Sequence, residues 1–396
     1  MPPPGETALV ALELPARALA AAAIASWEAG EAVLPLSTAW PAAERRAVLE
    51  AMRPTALVDA EGRHERADGI PAEADVAAVV ATSGTTGTAK GAVLTRAGME
   101  LAARAYADFL RVRPVDGWLA CTPLHHVAGI ATVARSVTTG LPLVVHDAFD
   151  PARVAAAPDD EGATIVLVVP TMLRRLVDLG ADLGRFHRVV VGASALAPGL
   201  RARAEALGAR IVETYGMTET WGGVVLEGHT LPGVEMTLSG AGEVLVRSEM
   251  VMRGYRLDPD RTAEVLDADG WLHTGDVGEI GADGRLRVVD RLKDLVITGG
   301  VNVSPVQVEH VLAHHPDVAD VCVVGVPDEE WGERVVAYVV PIDASAPPDL
   351  GELRRFATTQ LSAPELPREL RLVAAIPRSA SGKPLRRRLR EARDGA

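Results

Sequence analysis

The stretch ATSGTTGTAKG, Ala81 to Gly91, closes the apolar run VAAVVAT at 76–82. A run of small and β-branched apolar residues bounded by glycine reads as a buried strand. Beyond it lies a loop of glycine, serine and threonine, and such loops cradle phosphates. The glycines let the backbone come close, and the N–H groups and hydroxyls donate to phosphate oxygens. Lys90 follows Ala89 and precedes Gly91, so the Gly-Lys-Ser/Thr ending of a Walker A loop is missing and the chain is not a P-loop NTPase. Lysine is also scarce: of 40 basic residues only Lys90, Lys293 and Lys383 are lysines. A compact charge on a flexible stem approaches a single oxygen in a way that a planar guanidinium does not. Each of the three is therefore a candidate for chemistry.

Outward from the loop, short apolar runs alternate with amphipathic helical patterns: VAAVVAT before a helix from about Arg96 to Leu110, ATIVLVVP (163–170) before TMLRRLVDLG, and RVVVGAS (188–194) before PGLRARAEALG. This alternation predicts parallel strands joined by crossover helices. From Glu243 the pattern turns β-rich, with GEVLVRS, DADGWLHTGD and GADGRLRVVDR separated by turn residues. A second α/β unit comes next, with a helix in SPVQVEHVLAHHP (304–316), strands in VADVCVVGVP and ERVVAYVVP, and a surface loop at 343–349. The break is expected at DRLKD, 290–294, giving an N-terminal domain of 1–291 and a C-terminal domain of 292–396. The basic C-terminal stretch GKPLRRRLREARDGA reads as a solvated helix face.

With 396 residues there is room for two or more domains. A net charge of −13 argues against a nucleic-acid partner, which needs a basic face. Two cysteines, Cys121 and Cys322, make neither a disulfide framework nor a zinc site. The first thirty residues lack a basic start and carry Glu6, Glu13 and Arg17, so neither a signal peptide nor a membrane span is expected and a cytoplasmic protein is.

The loop is one of several motifs in a fixed order: TSGTTGTAKG (82–91), YGMTE (215–219), GYR (254–256), HTGD (273–276), DRLKDLVITGGVNVSPVQVE (290–309) and PRSASGKPLRR (377–387). Over about residues 75–390 this order resembles the adenylate-forming superfamily of acyl-CoA synthetases, luciferases and adenylation domains. The resemblance implies a large N-terminal domain of α/β layers with a β-rich subdomain and a small, mobile α+β C-terminal domain. It implies ATP, Mg²⁺ and coenzyme A as the small molecules used, with a carboxylic acid as substrate, and it leaves room for a homodimer. About 80 residues precede the loop, so the first subdomain is abbreviated relative to that family.

By the same resemblance, Thr82, Ser83, Gly84, Thr85, Thr86, Gly87 and Lys90 would hold the β- and γ-phosphates. Gly192, Ala193 and Ser194, with Tyr215, Gly216 and Met217, would border the nucleotide, Tyr215 stacking on adenine. Thr218 would contact the α-phosphate and Glu219 would bind Mg²⁺. Asp276 would accept from the ribose hydroxyls, assisted by Arg291. Lys383 would bridge the carboxylate and the α-phosphate, Lys293 would be the hinge, and Gly299 and Gly300 would line the CoA path. Within the family, CTPLHHVAGIATVARSVTTGLPLVV (121–145) and the text around YGMTE resemble the o-succinylbenzoate:CoA ligases of menaquinone biosynthesis. That branch places His126 near the reacting end and Arg135 toward the aryl carboxylate. The alternatives are a core histidine at 126, a surface arginine ending a helix at 135, a ligase for another small aromatic or short-chain acid, and a non-catalytic adenylation fold.

Overall fold

The computed structural model describes residues 4–82, 89–378 and 384–391, the side chain of Glu391 excepted. The chain divides into two compact units. The first comprises Met1–Thr237, Leu245–His273 and Ala282–Leu286, and the second Leu238–Val244, Thr274–Gly281 and Arg287–Ala396.

In the first unit the alternating runs become a sheet whose strands Leu143–Val145, Trp118–Ala120, Ile165–Val168, Arg188–Val191 and Ile211–Met217 lie parallel and adjacent in that order. Crossover helices Val127–Thr139, Pro151–Asp160, Pro170–Asp178 and Pro198–Ala206 join them. Strands covered by helices must be apolar along their length, and Leu119, Val166, Val168 and Val189 pack with Leu173, Leu176, Phe186 and Leu200 in one core. Two antiparallel strands, Gly222–Leu226 and His229–Thr230, extend the sheet.

A second seven-stranded sheet runs Gly254–Tyr255, Lys90–Thr95, Val76–Thr82, Ala32–Pro35, Leu9–Leu12, Ala56–Asp59, Gly62–Glu65. Its middle is parallel, but the strand–helix crossover expected after VAAVVAT is not what forms. KGAVLT at 90–95 is itself a strand, antiparallel to Val76–Thr82, with Ala81 opposite Gly91 and Thr82 opposite Lys90. The chain thus reverses between Thr82 and Lys90, and Arg96–Leu110 starts only after it, capped by Thr95, whose Oγ1 accepts from Gly98 N at 3.1 Å. A run as short as AVL between glycine and threonine carries too little periodicity to be separated from the loop by pattern alone.

The sheet end below Trp118 is braced by Asp116, 1% exposed, which accepts from Arg113 N at 2.7 Å, Arg113 Nη2 at 2.8 Å and Thr164 Oγ1 at 2.7 Å. These bonds hold its carboxyl at about 2 against the opposing effect of burial. A depressed carboxyl stabilises the fold above its unfolded value near 4 and loses that contribution as pH falls toward 2. Asp116→Ala is expected to cost about 2–3 kcal/mol, discounted for the exposed Arg113, in denaturant unfolding at pH 7, and less at pH 3.

In the second unit, strands Val301–Val303, Val296–Thr298, Gly332–Pro341 and Val318–Asp328 form a sheet to which Glu369–Leu372 adds against Gly332–Pro341. Alternation along VADVCVVGVP puts Val321 and Val323 in a core with Val308, Leu312 and Leu353, and Cys322, Val324 and Val326 in another with Tyr338, Ile376 and Leu389. The C-terminal helix Arg386–Glu391 is not the fully solvated face expected. Arg386 Nη2 pairs with both Glu309 oxygens at 2.7 Å, and Leu389 is buried. The β-rich stretch supplies Glu243–Arg247, Leu272–Ile280 and Leu286–Arg291. Both cysteines are free and buried. Among the described residues no helix is long and apolar enough to cross a membrane.

Candidate active site

Ligands of parallel α/β sheets bind beyond the carboxyl ends of the strands, and here those ends carry the motifs. Trp118–Ala120 leads to His125 and His126, Arg188–Val191 to Gly192, Ala193 and Ser194, and Ile211–Met217 into Thr218 and Glu219. Gly192 lies so near the last of these strands that a Cβ on it would sit 2.6 Å from Thr214 Cγ2. Ala193 has φ +69°. Gly216 is closer still: a Cβ there would lie 1.9 Å from the Gly222 carbonyl oxygen, so only glycine lets the two strands meet at the bulge between Tyr215 and Gly216. Beyond Met217 the chain makes a single 3₁₀ turn, Thr218–Thr220, tied by Met217 N donating to Thr220 Oγ1 at 3.0 Å. Trp221 comes next at φ +55°, buried, with Nε1 donating to Thr95 O at 3.0 Å. Tyr215 and Thr218 are half-buried on this wall.

Glu219 faces Lys90. Lys90 Nζ lies 3.4 Å from Glu219 Oε1, and the Tyr255 hydroxyl donates to that same oxygen at 2.6 Å. No described residue bonds the other carboxylate oxygen of Glu219. Mg²⁺ is commonly held by one or two carboxylates together with phosphate oxygens, so this side chain fits the cation that the adenylating reaction implies. Burial and the neighbouring Glu219 push the Tyr255 hydroxyl's pKa up, keeping it un-ionised. Thr82 is half-buried at the strand end, while Ser83, Gly84, Thr85, Thr86 and Gly87 lie outside the described residues, as does Lys383.

The helix Val127–Thr139 carries both candidate substrate contacts. His126 is its exposed N-cap residue, its ring 4.3 Å from that of His125, which in turn packs edge-on against Trp40 at 5.3 Å. Burial and the adjacent His126 lower His125 to about 4, so it is neutral at pH 7. Arg135 is neither exposed nor at the helix end. It is 2% exposed, its guanidinium lies 3.9 Å over the Tyr106 ring, and Trp118 lies beyond at 6.0 Å. Nε has no hydrogen-bond partner, and among the described residues no carboxylate pairs with the guanidinium. Tyr106 Oη shares a 2.5 Å hydrogen bond with Thr214 Oγ1 of the YGMTE strand, and a Cβ on Gly222 would come within 3.7 Å of Arg135 Nη2. The buried cation thus abuts the strand pair that bears Tyr215 and is joined by the turn holding Glu219.

The second unit gathers its own set. Asp276, 4% exposed, pairs with Arg291 Nε at 2.6 Å, and Arg291 Nη1 also donates to Thr274 O at 3.4 Å. Lys293 is exposed in the short turn Leu292–Asp294. Gly299 and Gly300, at φ +57° and +78°, make the two-residue turn between Val296–Thr298 and Val301–Val303, the geometry that favours Gly-Gly in tight hairpins. Gly299 N donates to Trp331 O at 2.8 Å, and Arg368 stacks 3.8 Å over the Trp331 ring. The sequence alone does not single out Tyr255, Tyr106 or Trp331. Tyr255 lies inside the GYR motif, whereas nothing in the residues around 106 or 331 marks those positions.

The profile of the AMP-binding enzyme family matches residues 59–280, and that of the AMP-binding enzyme C-terminal domain matches 307–383. The chain belongs to this adenylate-forming family, with a large N-terminal and a smaller C-terminal α/β domain, and it is an ATP-binding acid:CoA ligase. It is 36% identical to the 3-[(3aS,4S,7aS)-7a-methyl-1,5-dioxo-octahydro-1H-inden-4-yl]propanoyl:CoA ligase of Rhodococcus jostii, over 85% of this chain and 69% of that one. It is 35% identical to the 2-succinylbenzoate–CoA ligase of Geobacillus kaustophilus, over 80% and 69%. The structure of the o-succinylbenzoate CoA synthetase of Bacillus subtilis in complex with the acyl-adenylate intermediate superposes with a TM-score of 0.83 at 28% identity, covering 96% of this chain and 88% of that one.

Proposed function

We propose that the protein converts o-succinylbenzoate to o-succinylbenzoyl-CoA, a step of menaquinone biosynthesis. The succinyl carboxylate oxygen attacks the α-phosphorus of ATP and pyrophosphate leaves. The CoA sulfur then attacks the acyl carbon, and the bond to AMP breaks. The loop 82–90 holds the β- and γ-phosphates with Lys90 as countercharge, and Glu219 would be the carboxylate that holds Mg²⁺. Tyr215 borders adenine, with Gly192, Ala193, Ser194, Gly216 and Met217 beside it, and Thr218 meets the α-phosphate. Asp276, oriented by Arg291, takes the ribose hydroxyls. Lys383 stabilises the charge that develops between carboxylate and α-phosphate, His126 stands near the reacting end, and Gly299 and Gly300 border the pantetheine. Relatives of near-equal identity act on unlike acids, so the substrate has to be argued from the site. The observation that supports this one is Arg135, a buried cation that no carboxylate of the described residues pairs with, which suits an acid with a second carboxylate. A pyrophosphate-release assay should show o-succinylbenzoate adenylated in preference to the same acid without its aryl carboxylate. No activity with o-succinylbenzoate would hand the site to another small aromatic or short-chain acid.

The two steps need different partners around one phosphorus and one carbon, and we read Lys293 as the pivot between 1–291 and 292–396 that exchanges them. Proline fixes φ near −65° and restricts the residue before it. Lys293→Pro is therefore expected to leave pyrophosphate release near wild type and to slow thioester formation about tenfold or more. Unchanged overall turnover would remove Lys293 from that role.

A further inference from the structure

The phenol of Tyr255 stands between a cation and an anion. Lys90 Nζ donates to its Oη at 2.5 Å, and Oη donates to Glu219 Oε1 at 2.6 Å, while Lys90 and Glu219 remain 3.4 Å apart. The lysine also lies 4.1 Å from the centre of the tyrosine ring. A lysine and a carboxylate that are 24% and 13% exposed would otherwise close to contact at about 2.8 Å. At 3.4 Å the two already form a long ion pair; closed further, each charge would be more fully taken up by the other and less available to a phosphate or a cation. A hydroxyl resolves this because one oxygen can accept from the lysine and donate to the carboxylate; phenylalanine can do neither. The backbone sets its position. Tyr255 pairs with Ala92 across the sheet edge, its N donates to Thr262 Oγ1 at 2.8 Å, and Lys90 heads the same strand as Ala92. The ladder thus carries the hydroxyl to the lysine.

We propose that Tyr255 is a positioning residue for nucleotide binding: its hydroxyl keeps Lys90 and Glu219 from closing on each other and holds Glu219 by one oxygen, so that the other meets the cation on the triphosphate. This rests on the proposed roles of Lys90 and Glu219 at the triphosphate. Tyr255→Phe keeps the ring, its packing and its contact with the lysine, and removes only the hydroxyl.

The variant is to be titrated calorimetrically with ATP in the presence and absence of Mg²⁺, and assayed for pyrophosphate release across Mg²⁺ concentrations. The Mg²⁺-dependent part of ATP affinity should fall roughly tenfold, and half-saturation by Mg²⁺ should rise by a similar factor. Thermal stability and conversion of a supplied acyl-adenylate should not change. In a Glu219→Gln background the same substitution should add less than about twofold, since it acts through Glu219. Wild-type Mg²⁺ dependence in Tyr255→Phe, with Glu219→Gln and Lys90→Met impaired, would overturn the proposal. So would a loss that is independent of Mg²⁺ and undiminished in the Glu219→Gln background. If Glu219→Gln and Lys90→Met themselves leave ATP binding and adenylation intact, the nucleotide-site reading fails and the role of Tyr255 with it.

Discussion

Lys383→Ala is expected to lower adenylate formation about 10²–10³-fold, the cost of removing one preorganised charge from a developing transition state. Conversion of a supplied acyl-adenylate to thioester should stay near the wild-type rate. The reason lies in where charge develops. When a carboxylate attacks the α-phosphorus, two anions are driven together and negative charge grows on the non-bridging oxygens. In the second step the phosphorus keeps all its bonds and the acyl carbon is attacked instead. A lysine needed for the first event is idle in the second. Lys383 lies outside the described residues, but contacts flank it on either side: Arg378 Nη2 donates to both oxygens of Asp320, Arg386 Nη2 to both oxygens of Glu309, and Arg378 forms a β-bridge with Pro384. Lys383→Arg should not rescue adenylation, because a planar fork cannot replace a point charge shared by two oxygens. Pyrophosphate release and thioester yield, measured separately, check this. Equal loss in both would mean that Lys383 does not act at phosphorus.

Much of this architecture was legible in the sequence because the parallel sheet is built from long, unmixed apolar runs, and a run such as ATIVLVVP admits few other readings. The strand Lys90–Thr95 was not, since GAVL beside a glycine-rich loop carries no distinct period. The site divides in the same way. Lys90, Glu219 and Asp276 stand in motifs whose order is informative, and the fold brings Lys90 to Glu219 within 3.4 Å although 129 residues separate them. Arg135 could be flagged from sequence, yet its burial could not, because a helix pattern does not reveal what packs over each face. Tyr106 escaped altogether: a tyrosine in an amphipathic helix reads as core, and its second use, as a ring under a guanidinium, is a tertiary fact. Tyr255 shows the same limit at closer range. The GYR motif names it, but only the register with Ala92 shows that its hydroxyl reaches both Lys90 and Glu219.

Arg135→Ala is expected to lower kcat/KM for o-succinylbenzoate by about 1.5–3 kcal/mol, roughly ten- to hundredfold, the worth of a hydrogen bond to a charged group. For the analogue without the aryl carboxylate the loss should be much smaller. A buried guanidinium is costly unless an anion meets it, and the described residues offer it ring faces and no carboxylate: Tyr106 at 3.9 Å and Trp118 at 6.0 Å. Burial accordingly lowers its pKa, with the neighbouring Tyr106 opposing the shift. Two explanations make opposite demands on stability. If Arg135 serves the fold through its stacking on Tyr106, any truncation should destabilise the protein and harm all acids alike. If it is kept for a substrate carboxylate, an apolar residue of similar length should suit the core better than the charge does, because replacing a buried, uncompensated ion by a well-packed side chain is often neutral or stabilising. Arg135→Met is therefore expected to match or exceed the wild-type melting temperature while losing selectivity for the dicarboxylate, the pattern of a residue that function retains against stability. Melting curves and kcat/KM ratios for the two acids, taken on the same preparations, separate the cases. A lower melting temperature with equal losses for both acids would return Arg135 to the core.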